Sequence, residues 1–137
     1  MLINENLRTF LLADTTIKGL VYQRCYSDEI PPNKPQMPAI VYFFVDGISS
    51  ETLSGTLDHA RARVQIDCYG DSRVQSMVVA ERVRLRLSGH RGDFGTGWCQ
   101  AIELEGGFRH TIELTADDKR RFVTSQDFLV HYAQATA

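Results

Sequence analysis

The chain is poor in the residues that build a reactive site. It has three cysteines, Cys25, Cys68 and Cys99, far apart and odd in number. No disulfide framework and no C-x-x-C metal spacing follow from them, and they read as small buried residues of a reducing compartment. Four histidines, His59, His90, His110 and His131, show no H-E-x-x-H or other paired spacing, so no zinc site is spelled out. No Ser-His-Asp or Cys-His constellation has a local signature either. No apolar run approaches the ~18 residues of a membrane-spanning helix, and Met1–Phe10 lacks the basic start of a signal peptide. With a net charge of −2 and a pI of about 6.1, the chain also lacks the basic excess of a dedicated nucleic-acid binder.

What is present is an ordinary globular composition. The 137 residues are 43% hydrophobic and 23% charged, which is expected to give one domain over 1–137. A chain of this length buries roughly two thirds of its unfolded surface. Leu2, Ile3, Leu7, Phe10, Leu11 and Leu12 recur at helical spacing and predict a first helix over about 2–13, ended by Asp14–Thr16. Leu20–Tyr26 reads as an edge strand. All four prolines then fall within Pro31–Pro38, which makes that stretch an extended surface loop, since proline has no N–H for a ladder. "AIVYFFV", Ala39–Val45, has no polar face and is expected to be covered on both sides.

The polar stretch after it is read as the far end of a long hairpin that returns through Arg61–Tyr69. In the return strand Ala62, Val64, Ile66 and Cys68 alternate with Arg61, Arg63, Gln65, Asp67 and Tyr69, so one face is core and the other is wet or meets a partner. A second helix follows, capped by Asp71 or Ser72, running to about Ser88 and stopped by Gly89. "GHRGDFGTG" reads as a flexible loop. Trp98–Leu104 and Phe108–Leu114 are strand-like, and Gly106-Gly107 between them is either a hairpin turn or a bulge in one long strand. "TADDKRR" is a turn, with Asp117 and Asp118 as turn residues. Phe122–Tyr132 is the last strand, with Phe128, Val130 and Tyr132 on one face. The class is α+β: a mostly antiparallel sheet of four to five strands, two helices packed on one face, and a long β-hairpin.

The junction "RVQIDCYGDSRVQSM" runs from strand into helix, the place where a phosphate loop would lie. A phosphate cradle needs several glycines there, and only Gly70 is present, followed by the acidic Asp71. The junction therefore reads as scaffold. Arg73, Arg82, Arg84, Arg86 and Arg91 fall on both flanks of the helix rather than in one stripe. That pattern suits a solvated helix with cations toward its negative end more than a row of phosphate contacts.

At roughly 100° per residue, Ser76, Val79, Ala80, Val83 and Leu87 share the face of the second helix that should lie on the sheet. Val74, Met77, Val78 and Leu85 cluster on the other side. A surface helix needs only one apolar face, so this second face must meet either the N-terminal helix or an adjacent subunit. It is the candidate subunit interface, together with Ser50, Thr52 and Leu53 of the polar hairpin tip Ser49–Thr56, which exceeds the usual connection length.

Taken together, the N-terminal helix, the Pro-rich loop into "MPAIVYFF", the hairpin tip with Gly55, "RVQIDCYGDS" leading into "AERVRLRLSG", and the final "QDFLVHYA" resemble the tail-completion, or tail-terminator, proteins of long-tailed bacteriophages and related prophage elements. The resemblance covers nearly the whole chain and is strongest over Arg63–Gly89. It implies a structural protein without catalytic residues, cofactor or membrane partner. Subunits of that family form a ring, typically a hexamer, at the head-proximal end of the tail tube. The implied partners are further copies of the chain, the tail tube protein and the head-tail connector, with DNA passing transiently through the bore. The implied place is the virion tail, assembled in the bacterial host cytoplasm. Two other classes compete: a small oligomeric enzyme with a site formed between subunits, and a tail-assembly chaperone absent from the virion.

Overall fold

A computed structural model describes residues 3–31, 36–50, 59–95, 97–115 and 119–133. Helices α1 (Ile3–Leu12), α2 (Thr15–Val21) and α3 (Arg73–Leu87) accompany strands β1 (Cys25–Ser27), β2 (Ala39–Ser50), β3 (His59–Gly70), β4 (Gly92–Phe94), β5 (Gly97–Leu114) and β6 (Arg120–Ala133). They form one sheet in the order β1-β2-β3-β6-β5-β4. All pairs are antiparallel except β1 with β2.

The class is α+β, with six strands and three helices in place of four to five and two. The additional helix arises at Asp14. Its side chain accepts from the N–H groups of Thr16 and Ile17, so the residues that end α1 also start α2. Leu20 and Val21 belong to this helix, and only Cys25–Ser27 forms the edge strand. Strand β1 pairs in parallel with β2, which requires a connection longer than a tight hairpin, and residues 28–38 supply that length.

The other additional strand lies in the glycine-rich segment expected to be a loop. Gly92–Phe94 pairs back on Gly97–Cys99, and Phe94 is fully buried against Phe10. The turn between them packs on Asn6 of α1. Gly95 has φ +64°, and a Cβ there would come within 2.6 Å of the Asn6 Oδ1, so both conformation and space require glycine. At Gly106-Gly107 the bulge is the outcome: β5 is one strand whose register against β6 shifts between Glu105 and Arg109, with Gly106 at φ +70°.

All three helices pack on the same side of the sheet. Leu7, Phe10 and Leu11 of α1, Ile17 and Val21 of α2, and Val79, Ala80, Val83 and Leu87 of α3 join Ile40, Tyr42, Val64, Ile66, Phe128 and Val130 in one core. Alternation in β3 is as expected: Ala62, Val64, Ile66 and Cys68 are buried while Arg61 and Arg63 are exposed. Ala39–Val45 is covered only in part. Ala39–Tyr42 are buried, Phe43 and Phe44 are half-buried, and Val45 is exposed. A bulge between Phe44 and Asp46 turns the strand there, beyond its most deeply buried part.

Candidate assembly surface

The junction from β3 into α3 is closed by its own side chains. Ser72 caps the helix, its Oγ accepting from the Gln75 N–H at 3.1 Å, and the Asp71 N–H donates to the Gln75 Oε1 at 2.7 Å. The N–H groups of Asp71, Gln75 and Ser76 at this junction are thus engaged within the chain. Helix α3 ends as expected, with Gly89 at φ +78°.

Arg73 and Arg86 of α3 hold neighbouring elements rather than forming an anion site. Arg73 donates to the carbonyls of Val123 (2.8 Å) and Thr111 (3.1 Å) and lies 3.0 Å from the His110 Nδ1. Since guanidinium only donates, that nitrogen is the acceptor in the contact. Arg86 donates twice to the Phe10 carbonyl (3.2 and 3.0 Å) and sits over the Phe10 ring at 3.8 Å, tying α3 to α1. Arg84 pairs with Glu81, whose carboxyl is held below its usual range by that hydrogen bond.

The helix divides as its spacing predicts. Ser76, Val79, Ala80, Val83 and Leu87 are buried, whereas Val74 is 70% exposed, Met77 42%, Val78 45% and Leu85 56%. The N-terminal helix therefore does not cover the second face. Phe108, Ile112 and Leu114 of β5 are also exposed, and Phe108 and Met77 border one shallow hollow. Ala80, Glu81, His110, Thr124 and Gln126 complete it, around about 280 Å³ that is partly open to solvent. At its floor the Ser76 Oγ lies 2.9 Å from the Thr124 Oγ1, which is 3.2 Å from the His110 Nδ1. The Gln126 amide donates to the Ala80 carbonyl at 3.2 Å, and its Oε1 is buried without a partner. Seven exposed apolar side chains here, each presenting on the order of 100 Å², match the largest patch of a typical monomer and most of one side of a standard protein–protein interface.

The opposite face of the sheet carries charge pairs over β3, β6 and β5, beside the buried Val41 and Val123. Arg109 grips Asp127 through two hydrogen bonds (3.0 and 3.1 Å), Arg63 meets Glu105 at 3.0 Å, and His131 lies 3.7 Å from Glu103. Glu113 accepts from the Tyr69 hydroxyl at 3.1 Å. The His90 ring packs against Phe10 in a tilted arrangement, centroids 4.3 Å apart. Cys25, Cys68 and Cys99 are buried free thiols, and burial pushes Cys25 up to about 12. Among the described residues no cluster of His, Cys, Asp and Glu could hold a metal ion, and no helix is long and apolar enough to cross a membrane.

Of the interface candidates, Val74, Met77, Val78 and Leu85 lie on one exposed face of α3. Ser50 ends β2, on the far side of the sheet order from β5, and Thr52 and Leu53 lie outside the described residues. Sequence reasoning missed the β5 contribution. Phe108, Ile112 and Leu114 alternate as a core-facing strand would, and nothing local tells that no helix covers them.

The family model "Tail completion protein gp17" matches residues 5–127. No curated protein matches the chain. Among solved structures, a chain of the "Virion of native gene transfer agent (GTA) particle" superposes with a TM-score of 0.65 at 17% identity, covering 96% of this chain and 91% of that chain. At that identity the likeness is one of fold. The family match spans most of the sequence: the chain belongs to the tail completion protein family and is a structural protein of the virion tail.

Proposed function

We propose that this tail protein forms a closed ring, a hexamer, on the head-proximal end of the tail tube, where it stops tube growth and joins the tail to the head connector. The observation that carries this reading is the uncovered apolar face of α3 beside uncovered Phe108, Ile112 and Leu114. A monomer has no use for it, and a structural subunit buries such a surface against neighbours. The proposed interface comprises Val74, Met77, Val78 and Leu85, with the hairpin residues Ser50, Thr52 and Leu53 reaching the next subunit. Residues 1–137 act as a single domain in this arrangement.

The charge-paired sheet face suits a bore. Arg63 and Arg109 are answered by Glu105 and Asp127, so they offer sliding DNA little of the unneutralised cationic row that would hold it. The test is electron microscopy of tails carrying a labelled copy of the chain. Label as a closed ring at the head-proximal end supports the reading, whereas label along the tube, at the distal tip or absent from the tail sinks it.

A further inference from the structure

Four long strands, β2, β3, β6 and β5, make up the body of the sheet, and its two outer members are capped only in part. On β2, the short β1 covers Ile40–Tyr42, and among the described residues no strand pairs with that edge over 43–50. On β5, β4 covers Gly97–Cys99 and the Gly89 N–H takes the Ile102 carbonyl. Over 103–114 that edge likewise has no described strand beside it. Each bare edge presents a row of backbone N–H and C=O groups, a template for another strand. We infer that these two edges are partners: in the ring, β2 over 43–50 of one copy pairs with β5 over 103–114 of the next. The inference rests on the ring reading above and adds the contact that closes it.

Direction and offset both fit. The four strands alternate up and down, so β2 and β5 run oppositely. Rotation about a ring axis preserves direction, and the junction is therefore antiparallel, continuing the ladder across every boundary. Both edges can be placed on the scale of β3. Phe43 lies beside Gln65 and Ser50 beside His59, so the bare part of β2 sits toward the hairpin end. Glu105 lies across Asp127 from Gln65, and Ile112 across Phe122 from Gly70, so the bare part of β5 sits toward the other end.

The centres differ by roughly five residues, or about 17 Å along the strands, while four strands span about 19 Å across. Aligning the edges therefore slants the strands by about 40° to the axis, within the range at which sheets close on themselves. The bare lengths, about 26 Å on β2 and somewhat more on β5, are comparable. The pairing would also bring the neighbour's helical layer beside Met77 and Phe108, which border this edge.

The experiment is amide hydrogen exchange resolved to single residues on β5 and β2, in intact tails and in the isolated chain. In the isolated chain, amides of 103–114 aimed at β6 should be slow and those aimed outward fast, giving an alternating pattern. In the ring the outward amides of both 103–114 and 43–50 should slow by at least about a hundredfold, which erases the alternation. Alternation surviving on either edge in tails that microscopy shows to carry the ring overturns the pairing while leaving the ring reading intact. Protection of β5 alone, with β2 still fast, overturns it in favour of a two-fold contact. Tails without a closed ring overturn both.

Discussion

The two faces of α3 should answer oppositely to an added carboxylate. Val83 is 1% exposed and belongs to the central core. Val83→Asp removes about 1.5–3 kcal/mol of apolar burial and strands a carboxylate whose desolvation costs several kcal/mol more. The sum, more than about 5 kcal/mol, is a large part of the roughly 5–15 kcal/mol that holds a domain folded. At roughly 3–4 °C per kcal/mol for this length, the melting temperature should fall by more than about 15 °C. Leu85 is 56% exposed. Leu85→Glu places a carboxylate in solvent one turn from Arg82, and its effect on the isolated chain should stay within about 0.5 kcal/mol, or ~2 °C. If Leu85 is buried between subunits, the same substitution should weaken association by at least about a hundredfold, some 2.7 kcal/mol. Circular dichroism melting beside sedimentation separates the cases. A Leu85→Glu chain that melts as early as Val83→Asp makes the second face intramolecular. One that melts normally and assembles like the parent chain removes Leu85 from the interface.

Arg86→Ala should cost about 1–3 kcal/mol, because the Phe10 carbonyl loses two charged donors and the ring its cover; an unchanged denaturant midpoint would refute that strut. Ser72→Ala should cost about 1 kcal/mol and Ser72→Asp little, as expected of a cap accepting from the Gln75 N–H, and equal losses would assign the effect elsewhere. Burial raises the Cys25 thiol to about 12 from 9.0. In that interval the folded state binds the proton more tightly than the unfolded chain, so stability is full below about pH 8.5 and declines as pH rises toward 12. Denaturant midpoints at pH 7.5 and 10 should show the decline, and Cys25→Ala should reduce it.

Much of the fold is written in local pattern. The α3 stripe from Ser76 to Leu87 and the alternation from Ala62 to Cys68 follow from spacing alone, because each element has one strongly apolar face. Asp14 was legible as a helix end and not as the cap of α2, since the same residue suits both and only the packing of Ile17 and Val21 chooses. Phe94 was hidden by its glycines: what fixes β4 is the distant contact of its turn with Asn6 and of Phe94 with Phe10. Gly106-Gly107 suits a turn or a bulge equally in local terms, and the choice is made by β6, which is long enough to pair on both sides of it. The assembly surface was half visible. An extra apolar stripe on a helix can be counted from sequence, but exposure of Phe108, Ile112 and Leu114 depends on where the helical layer stops.

The central claim is that this chain ends tail growth and couples tail to head. Its most direct test is electron microscopy of particles from a strain in which the gene is deleted, with a complemented strain beside it. The account predicts tubes longer than normal, heads without tails, and recovery of both defects on complementation. Tails of normal length joined to heads in the deletion strain would contradict it.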